Sequence, residues 1–143
     1  MIVTDTSFLF SLFGRDTHTA AAQSWVQQTK QPITVTPLNR YEFANAIRFA
    51  AFRKVIPQSD AQASLAAFEA DLKRGLLQLT ACDLAAVVAE ADHLSELHTV
   101  AGGHRSFDIL HVATARVLKA TMLLTFDLNQ RKLAGAVRLA VGP

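Results

Sequence analysis

The chain has 143 residues, half of them hydrophobic, and a formal net charge of +2 from 14 basic and 12 acidic side chains. That length predicts one domain with a sizeable core, and the single Cys82 excludes an internal disulfide framework and suits a reducing cytosol. No apolar run approaches the roughly 18 residues of a membrane span, and Asp5 interrupts the apolar start before it can read as a secretory signal.

Met1-Ile2-Val3-Thr4-Asp5-Thr6-Ser7 reads as a short buried strand that ends in an acid and two hydroxyls. Ser7 opens a helix over Phe8-Leu9-Phe10-Ser11-Leu12-Phe13, closed by Gly14. In open α/β sheets the ligand site lies beyond the carboxyl ends of the strands, and Asp5 stands at such an end. Thr17 caps a second predicted helix, about 18–29, with Ala21, Ala22, Trp25 and Val26 on its apolar side; Gln31-Pro32 stops it. Ile33-Thr34-Val35 is a strand of β-branched residues. Thr36-Pro37 then combines a capping hydroxyl with proline at the first helical position.

The helix about 37–53 carries an apolar stripe at Leu38, Tyr41, Phe49 and Phe52. Glu42 and Asn45 lie on or beside that stripe, three residues apart, close enough for the amide to orient the carboxylate. An unpaired glutamate on an apolar face is costly. Glu42 therefore reads either as a functional acid or as an edge residue that reaches water, with Asn45 incidental.

Ser59 and Gln62 form a capping-box pattern for a helix about 60–74, with Leu65, Phe68 and Leu72 inward and Lys73-Arg74-Gly75 as its close. Leu76 to Thr80 is a third strand. Asp83 caps a helix about 84–98 with Leu84, Val87, Val88, Ala91 and Leu94 inward, and 99–105 is a loop. Ser106 caps a helix about 107–119 that is apolar nearly all round and so belongs in the interior. Asp108 falls in its first turn, where the helix dipole favours an ionised acid; complementing that dipole is also its bland reading. Met122-Leu123-Leu124-Thr125-Phe126-Asp127 repeats the opening logic of apolar strand, hydroxyl and acid. Asp127 reads equally as a cap for a short helix, about 128–134. Ala136 to Val141 is a last, edge strand.

Strands alternating with helices predict an α/β fold with a mainly parallel sheet and helices on both faces. The strand order is not readable from the pattern. If the first and fourth strands are neighbours, Asp5 and Asp127 lie roughly 5 Å apart. At an effective dielectric near 20, two like charges at that distance repel by about 3 kcal/mol, and several such pairs rival a domain's whole stability of roughly 5–15 kcal/mol. A cluster of Asp5, Glu42, Asp108 and Asp127 therefore needs protons or a cation. Oxygen ligands favour hard Mg²⁺ or Mn²⁺. Zinc is disfavoured, since His93 and His98 are five apart and His104 and His111 seven apart, neither a helical ligand pair. A carboxylate-held ion of this kind serves phosphoryl chemistry by lowering the pKa of water and neutralising developing charge. Setting the four acids aside leaves 14 basic against 8 acidic residues, a surface of +6 that suits a polyanion. Arg15, Arg40, Arg105, Arg131 and Lys132 are the candidate phosphate contacts, each also readable as plain surface.

Four segments together resemble the PIN-domain family, in particular VapC-type ribonuclease toxins: Ile2 to Ser7, Asn39-Arg40-Tyr41-Glu42, Phe107-Asp108-Ile109-Leu110-His111-Val112-Ala113-Thr114-Ala115, and Leu124-Thr125-Phe126-Asp127. The likeness runs over essentially the whole chain. It implies a single three-layer domain, 1–143, with sheet order 3-2-1-4-5, and Asp5, Glu42, Asp108 and Asp127 as catalytic metal ligands. It also implies Mg²⁺ or Mn²⁺, endoribonuclease action on structured RNA such as tRNA or rRNA, a VapB-type antitoxin, a homodimer and a cytoplasmic setting. Thr6 or Ser7, and Thr125, fall where the family places an orienting hydroxyl. Asn129 and Arg131 fall where polar residues often follow the last acid. His111, one turn after Asp108, reads as structural and stays outside the ligand set. Phe10, Phe13 and Trp25 read as core or as an apolar groove for an antitoxin helix.

The competing reading is a non-catalytic PIN-like module that binds RNA or a partner; the presence of all four acids argues against it. A receiver-like signalling domain would want an acidic pair after the first strand and an acid ending the third, where Thr80 stands. A haloacid-dehalogenase-type phosphatase would want an acid at Ser7.

Overall fold

A computed structural model describes residues 1–29 and 31–143. Among them run β1 (Ile2–Thr4), α1 (Thr6–Phe13), α2 (Thr19–Gln28), β2 (Ile33–Val35), α3 (Pro37–Phe52), α4 (Gln58–Arg74), β3 (Leu77–Leu79), α5 (Leu84–Gly102), α6 (Ser106–Val117), β4 (Met122–Leu124), α7 (Leu128–Ala136) and β5 (Ala140–Gly142). The five strands form one sheet ordered β3-β2-β1-β4-β5. Every strand pairing in it is parallel, so the expected mainly parallel sheet is parallel throughout.

Alternation along the strands divides the core into two. Ile2, Ile33, Val35, Leu77 and Leu124 face one side, packed with Phe8, Leu9, Ala22, Phe43, Ile47, Ala61 and Phe68 from α1 to α4. Val3 and Leu123 face the other, against Val87, Leu94, Ile109, Val112, Ala113, Ala115, Leu133 and Ala134 from α5 to α7. A sheet covered on both faces needs strands that are apolar without a polar side, and β1 and β2 are buried at every residue. β3 and β5, at the edges, are partly exposed.

Several local expectations shift. Asp5, not Ser7, caps α1 by accepting the Phe8 N–H. His18, not Thr17, holds the N-cap position of α2. α4 starts at Gln58 behind Pro57, whose φ of −62° turns the chain into the helix, so Ser59 lies inside it. α5 continues to Gly102 and ends on Gly103 at φ 66°, which turns the expected 99–105 loop mostly into helix. Within α5, Leu84 and Val88 point outward while Val87 and Leu94 are buried. α6 starts at Ser106 itself, with Arg105 at the cap position. α7 runs to Ala136, which confines the last strand to Ala140–Gly142.

The largest correction concerns α3. Its buried face is Asn39, Phe43, Ile47 and Ala50. The expected stripe residues Tyr41, Phe49 and Phe52 are 65%, 53% and 78% exposed. Asn45 is exposed as well, so it does not orient Glu42. The Thr36 cap is real, and Asn39 closes the capping box with it.

Candidate active site

β1 and β4 are neighbours, with Thr4 opposite Leu124. The chain leaves β1 toward β2 on one side, and β4 borders β5 on the other. The crevice beyond β1 and β4 is therefore the switch point of the sheet. Asp5 follows β1, Thr125 to Asp127 follow β4, Glu42 comes from the second turn of α3 and Asp108 from the first turn of α6. All four acids line one open cavity of about 430 Å³.

Asp5 is fully buried. Its Oδ1 accepts the Phe8 N–H at 2.9 Å, Ser7 Oγ donates to the carboxylate at 2.8–2.9 Å, and Thr125 Oγ1 donates to Oδ2 at 2.7 Å. Burial pushes its carboxyl up from the ordinary value, and these hydrogen bonds only partly offset that. The network closes through the backbone: Phe126 N–H donates to Ser7 Oγ at 2.9 Å and Asp127 N–H to Thr125 Oγ1 at 3.0 Å. Asp127 also caps α7, its Oδ1 accepting from the Asn129 and Gln130 N–H groups at 2.8 and 2.9 Å. The bland cap reading and the site reading therefore hold together for this residue.

Glu42 is oriented by side chains from two other helices. The Thr6 hydroxyl donates to its Oε2, and His111 Nε2 lies 2.6 Å from the same oxygen. Burial alone would raise the Glu42 carboxyl. The His111 and Thr6 hydrogen bonds, with the charge of Arg105, outweigh burial and hold it below the ordinary value. His111 is itself buried, and its Nδ1 lies 3.1 Å from Asn39 Nδ2. The orientation of Asn39 follows from the backbone. Its Oδ1 accepts the Thr36 N–H at 2.9 Å, and its Nδ2 donates to the Thr4 carbonyl at 2.9 Å. Nδ2 is thus the donor toward His111, so Nδ1 is an acceptor and Nε2 carries the proton given to Glu42. A backbone carbonyl at the end of β1 and a backbone N–H after β2 dictate the tautomer that orients an acid on α3.

Asp108 is 6% exposed. Arg105 Nε donates to its Oδ2 at 3.0 Å, and an Arg105 Nη2 contact at 3.5 Å reaches Asp127. Gln130 Nε2 approaches Asp108 Oδ1 at 3.4 Å. The guanidinium thus bridges two of the four acids. Of the five cations considered as phosphate contacts, Arg105 alone lines this cavity among the described residues. Arg15 lines a separate hollow with Phe13, Ile56 and Asp60. Arg40 pairs with Glu69 at 2.7 Å. Arg131 donates to the Thr125 and Pro143 carbonyls. Lys132 is exposed.

The donor set suits a hard dication: the described lining carries five carboxylates, the four expected and Asp16, with His18 and His111 and no cysteine. Among the described residues, however, no three His, Cys, Asp or Glu side chains are grouped closely enough to hold an ion as they stand. Hydroxyls, amides and the Arg105 guanidinium meet the acids' charge instead.

Asn39, Asp16 and His18 have no role in the sequence pattern, and His111, expected as structural, contacts Glu42 here. Asn39 and the His111–Glu42 contact join positions 72 and 69 apart in the chain; Asn39's place three residues after the Thr36 cap was the available signal. Asp16 and His18 also line the cavity, and nothing local marks them.

Among curated proteins none matches the chain. Solved structures share the fold. FitAcB from Neisseria gonorrhoeae superposes with a TM-score of 0.66 at 15% identity, over 100% of this chain and 97% of that one. VapC20 from Mycobacterium tuberculosis, a sarcin-ricin loop cleaving toxin, gives 0.65 at 13%, over 92% and 94%. PAE2754 from Pyrobaculum aerophilum gives 0.63 at 18%, over 98% and 81%. The family model of the PIN domain matches residues 2–136. Because that match begins in β1 and runs through α7, taking in every acid of the cavity, the chain belongs to the PIN-domain family, whose members are generally nucleases.

Proposed function

We propose that the chain is a Mg²⁺- or Mn²⁺-dependent endoribonuclease, the toxin of a toxin–antitoxin pair, acting on structured RNA in the cytoplasm. The observation that carries this reading is the convergence of Asp5, Glu42, Asp108 and Asp127 from four separate elements on one cavity at the sheet's switch point. Bound there by these acids, a hard dication supplies Lewis acidity and lowers the pKa of water. The chain's own groups do the rest. Ser7, Thr125 and the Phe8 N–H fix Asp5 in one orientation. Thr6 and His111 keep Glu42 ionised and aimed. Arg105 is the cation placed to meet a phosphate at the cavity. VapC20, with the same fold, supports ribosomal RNA as the target, with tRNA the other candidate. A VapB-type antitoxin and a homodimer complete the proposal.

One observation favours a second reading, a non-catalytic module that binds RNA or a partner. Arg105 ties Asp108 to Asp127, and no three acids form a ready ion site among the described residues. Cleavage decides between them. Purified protein is incubated with total RNA in Mg²⁺, Mn²⁺ or EDTA, and the new ends are mapped. Discrete cleavage that needs the metal and is lost in Asp5→Asn is expected. Full cleavage in EDTA, or undiminished cleavage by Asp5→Asn, overturns the metal-dependent mechanism, and no cleavage with either metal overturns the catalytic reading in favour of the binding module.

A further inference from the structure

We propose that the His18 ring is a stacking platform for one unpaired nucleobase beside the scissile phosphate, an inference that rests on the nuclease reading. His18 is exposed and lines the same cavity as the four acids. Its imidazole stacks on Phe126 with ring centroids 4.4 Å apart and planes 10° from parallel. Phe126 stacks in turn on Phe8 at 5.9 Å and 15°. Phe8 is fully buried and meets the edge of Trp25 at 6.0 Å. The three parallel rings form a column that starts in the core and ends at the cavity wall with an exposed aromatic residue.

The column is locked to the acids. Phe126 is the residue before Asp127, and its N–H donates to Ser7 Oγ, which holds Asp5. The segment that carries His18 is pinned as well. Ser11 Oγ donates to Asp16 Oδ2 at 2.7 Å, and the His18 N–H donates to Asp16 Oδ1 at 2.8 Å. Ser11 is buried in α1, so the ring is anchored to the helix that Asp5 caps. The stack on Phe126 covers one face of the ring, and the residue is otherwise exposed at the cavity.

The ligand class follows from the neighbours. A phosphodiester at the acids carries a nucleoside on each side, and its bases are the flat groups within reach of an adjoining ring. A cavity of about 430 Å³ falls in the range of small-ligand sites. A base inside a duplex has both faces covered, so only a splayed or single-stranded base can stack here. Every base has a π-face, so the platform selects unpaired structure rather than sequence. Target choice is then made by RNA shape: a loop or bulge that presents one unstacked base next to the scissile bond.

The test uses the full chain in Ca²⁺, a hard ion that takes oxygen ligands, with single-stranded oligoribonucleotides carrying 2-aminopurine at one position at a time. Quenching reports stacking, and titration gives Kd. His18 makes no side-chain cap bond to the described residues, so substitution removes no helix cap. His18→Ala is expected to weaken binding about 5- to 150-fold, the range of one base–aromatic stack, and to abolish quenching at one position. His18→Phe is expected to restore both. A duplex of the same sequence is expected not to compete. Unchanged Kd and quenching in His18→Ala, failure of His18→Phe to restore them, or an absence of any binding by the wild type overturns the platform. Cleavage in Mg²⁺ is scored separately. Cleavage with no His18 effect removes the platform and leaves the nuclease standing, while His18-dependent stacking without cleavage does the reverse.

Discussion

Burial pushes the Asp5 carboxyl above its ordinary 3.8, while the hydrogen bonds and charges around Glu42 outweigh burial and hold it below 4.5. These shifts have opposite consequences for stability. The folded chain binds the Asp5 proton more tightly than the unfolded chain does. Asp5 therefore contributes stability that is full below about pH 3.8 and lost as pH rises through its raised folded value. Glu42 contributes stability present above about pH 4.5 and lost as pH falls through its lowered folded value. Asp5→Asn removes only the first. In EDTA, the stability of Asp5→Asn relative to wild type should improve steadily as pH rises from below 3.8 toward neutrality, read by urea unfolding at each pH. A difference that stays flat with pH would mean that Asp5 does not titrate differently on folding. His111→Leu addresses Glu42. It removes the Nε2–H donor and leaves one Asn39 N–H without its acceptor, at a cost of about 1–3 kcal/mol. The Glu42 carboxyl should then titrate higher, as followed by carbon NMR of its side chain; an unmoved titration would show that Thr6 and Arg105 set it without His111.

Helix α3 carries apolar residues on two faces, and only one face meets the core. Phe43, Ile47 and Ala50 are buried, while Tyr41, Phe49 and Phe52 are exposed. Periodicity finds both stripes equally well and cannot tell which the sheet will cover. That is why the stripe expected through Leu38, Tyr41, Phe49 and Phe52 fell on the wrong side, and Asn45 with it. The two faces predict opposite outcomes. Phe43→Ala should cost about 3–5 kcal/mol, and Phe49→Ala should stay within about 0.5 kcal/mol. Urea unfolding of both variants checks this, and equal costs would refute the assignment of faces. Features set by local chemistry were readable in the chain: the Thr36 cap, the Gly75 close of α4 at φ 76°, and acids at the ends of β1 and β4. Asp83 and Asp127 each accept backbone N–H groups within three residues, so a nearby helix start betrays them, whereas Asp5 was legible as the acid that ends β1 and not as the cap it also is. The contacts that refine the site were not readable. Asn39 meets His111, and His18 meets Phe126, only because parallel strands bring distant loops to one end of the sheet.

At the scale of the molecule, the sheet order decides what each charge can do. Placing β1 between β2 and β4 gathers four acids at one crevice, and it also places β5 beside β4. The Thr125 N–H donates to the Gly142 carbonyl at 2.9 Å, which extends that pairing to the edge of the site. Arg131 stands at this seam. Its Nη1 donates to the Thr125 carbonyl at 2.8 Å and also to that of Pro143. The guanidinium therefore joins the end of β4, where Thr125 holds Asp5, to the residue that follows β5. A side chain engaged with two carbonyls this way is a fastener, with little freedom to contact phosphate. Arg131→Ala should lower stability by about 1–3 kcal/mol, since carbonyls paired with a charged donor lose it. It should leave the slope of log Kd against log salt for RNA unchanged, whereas a lost phosphate contact would flatten that slope by nearly one. Amide exchange should rise first at Thr125 and along β5, because that edge carries the seam. A flattened salt slope with undiminished stability would return Arg131 to the RNA surface and leave the end of β4 held by the sheet alone.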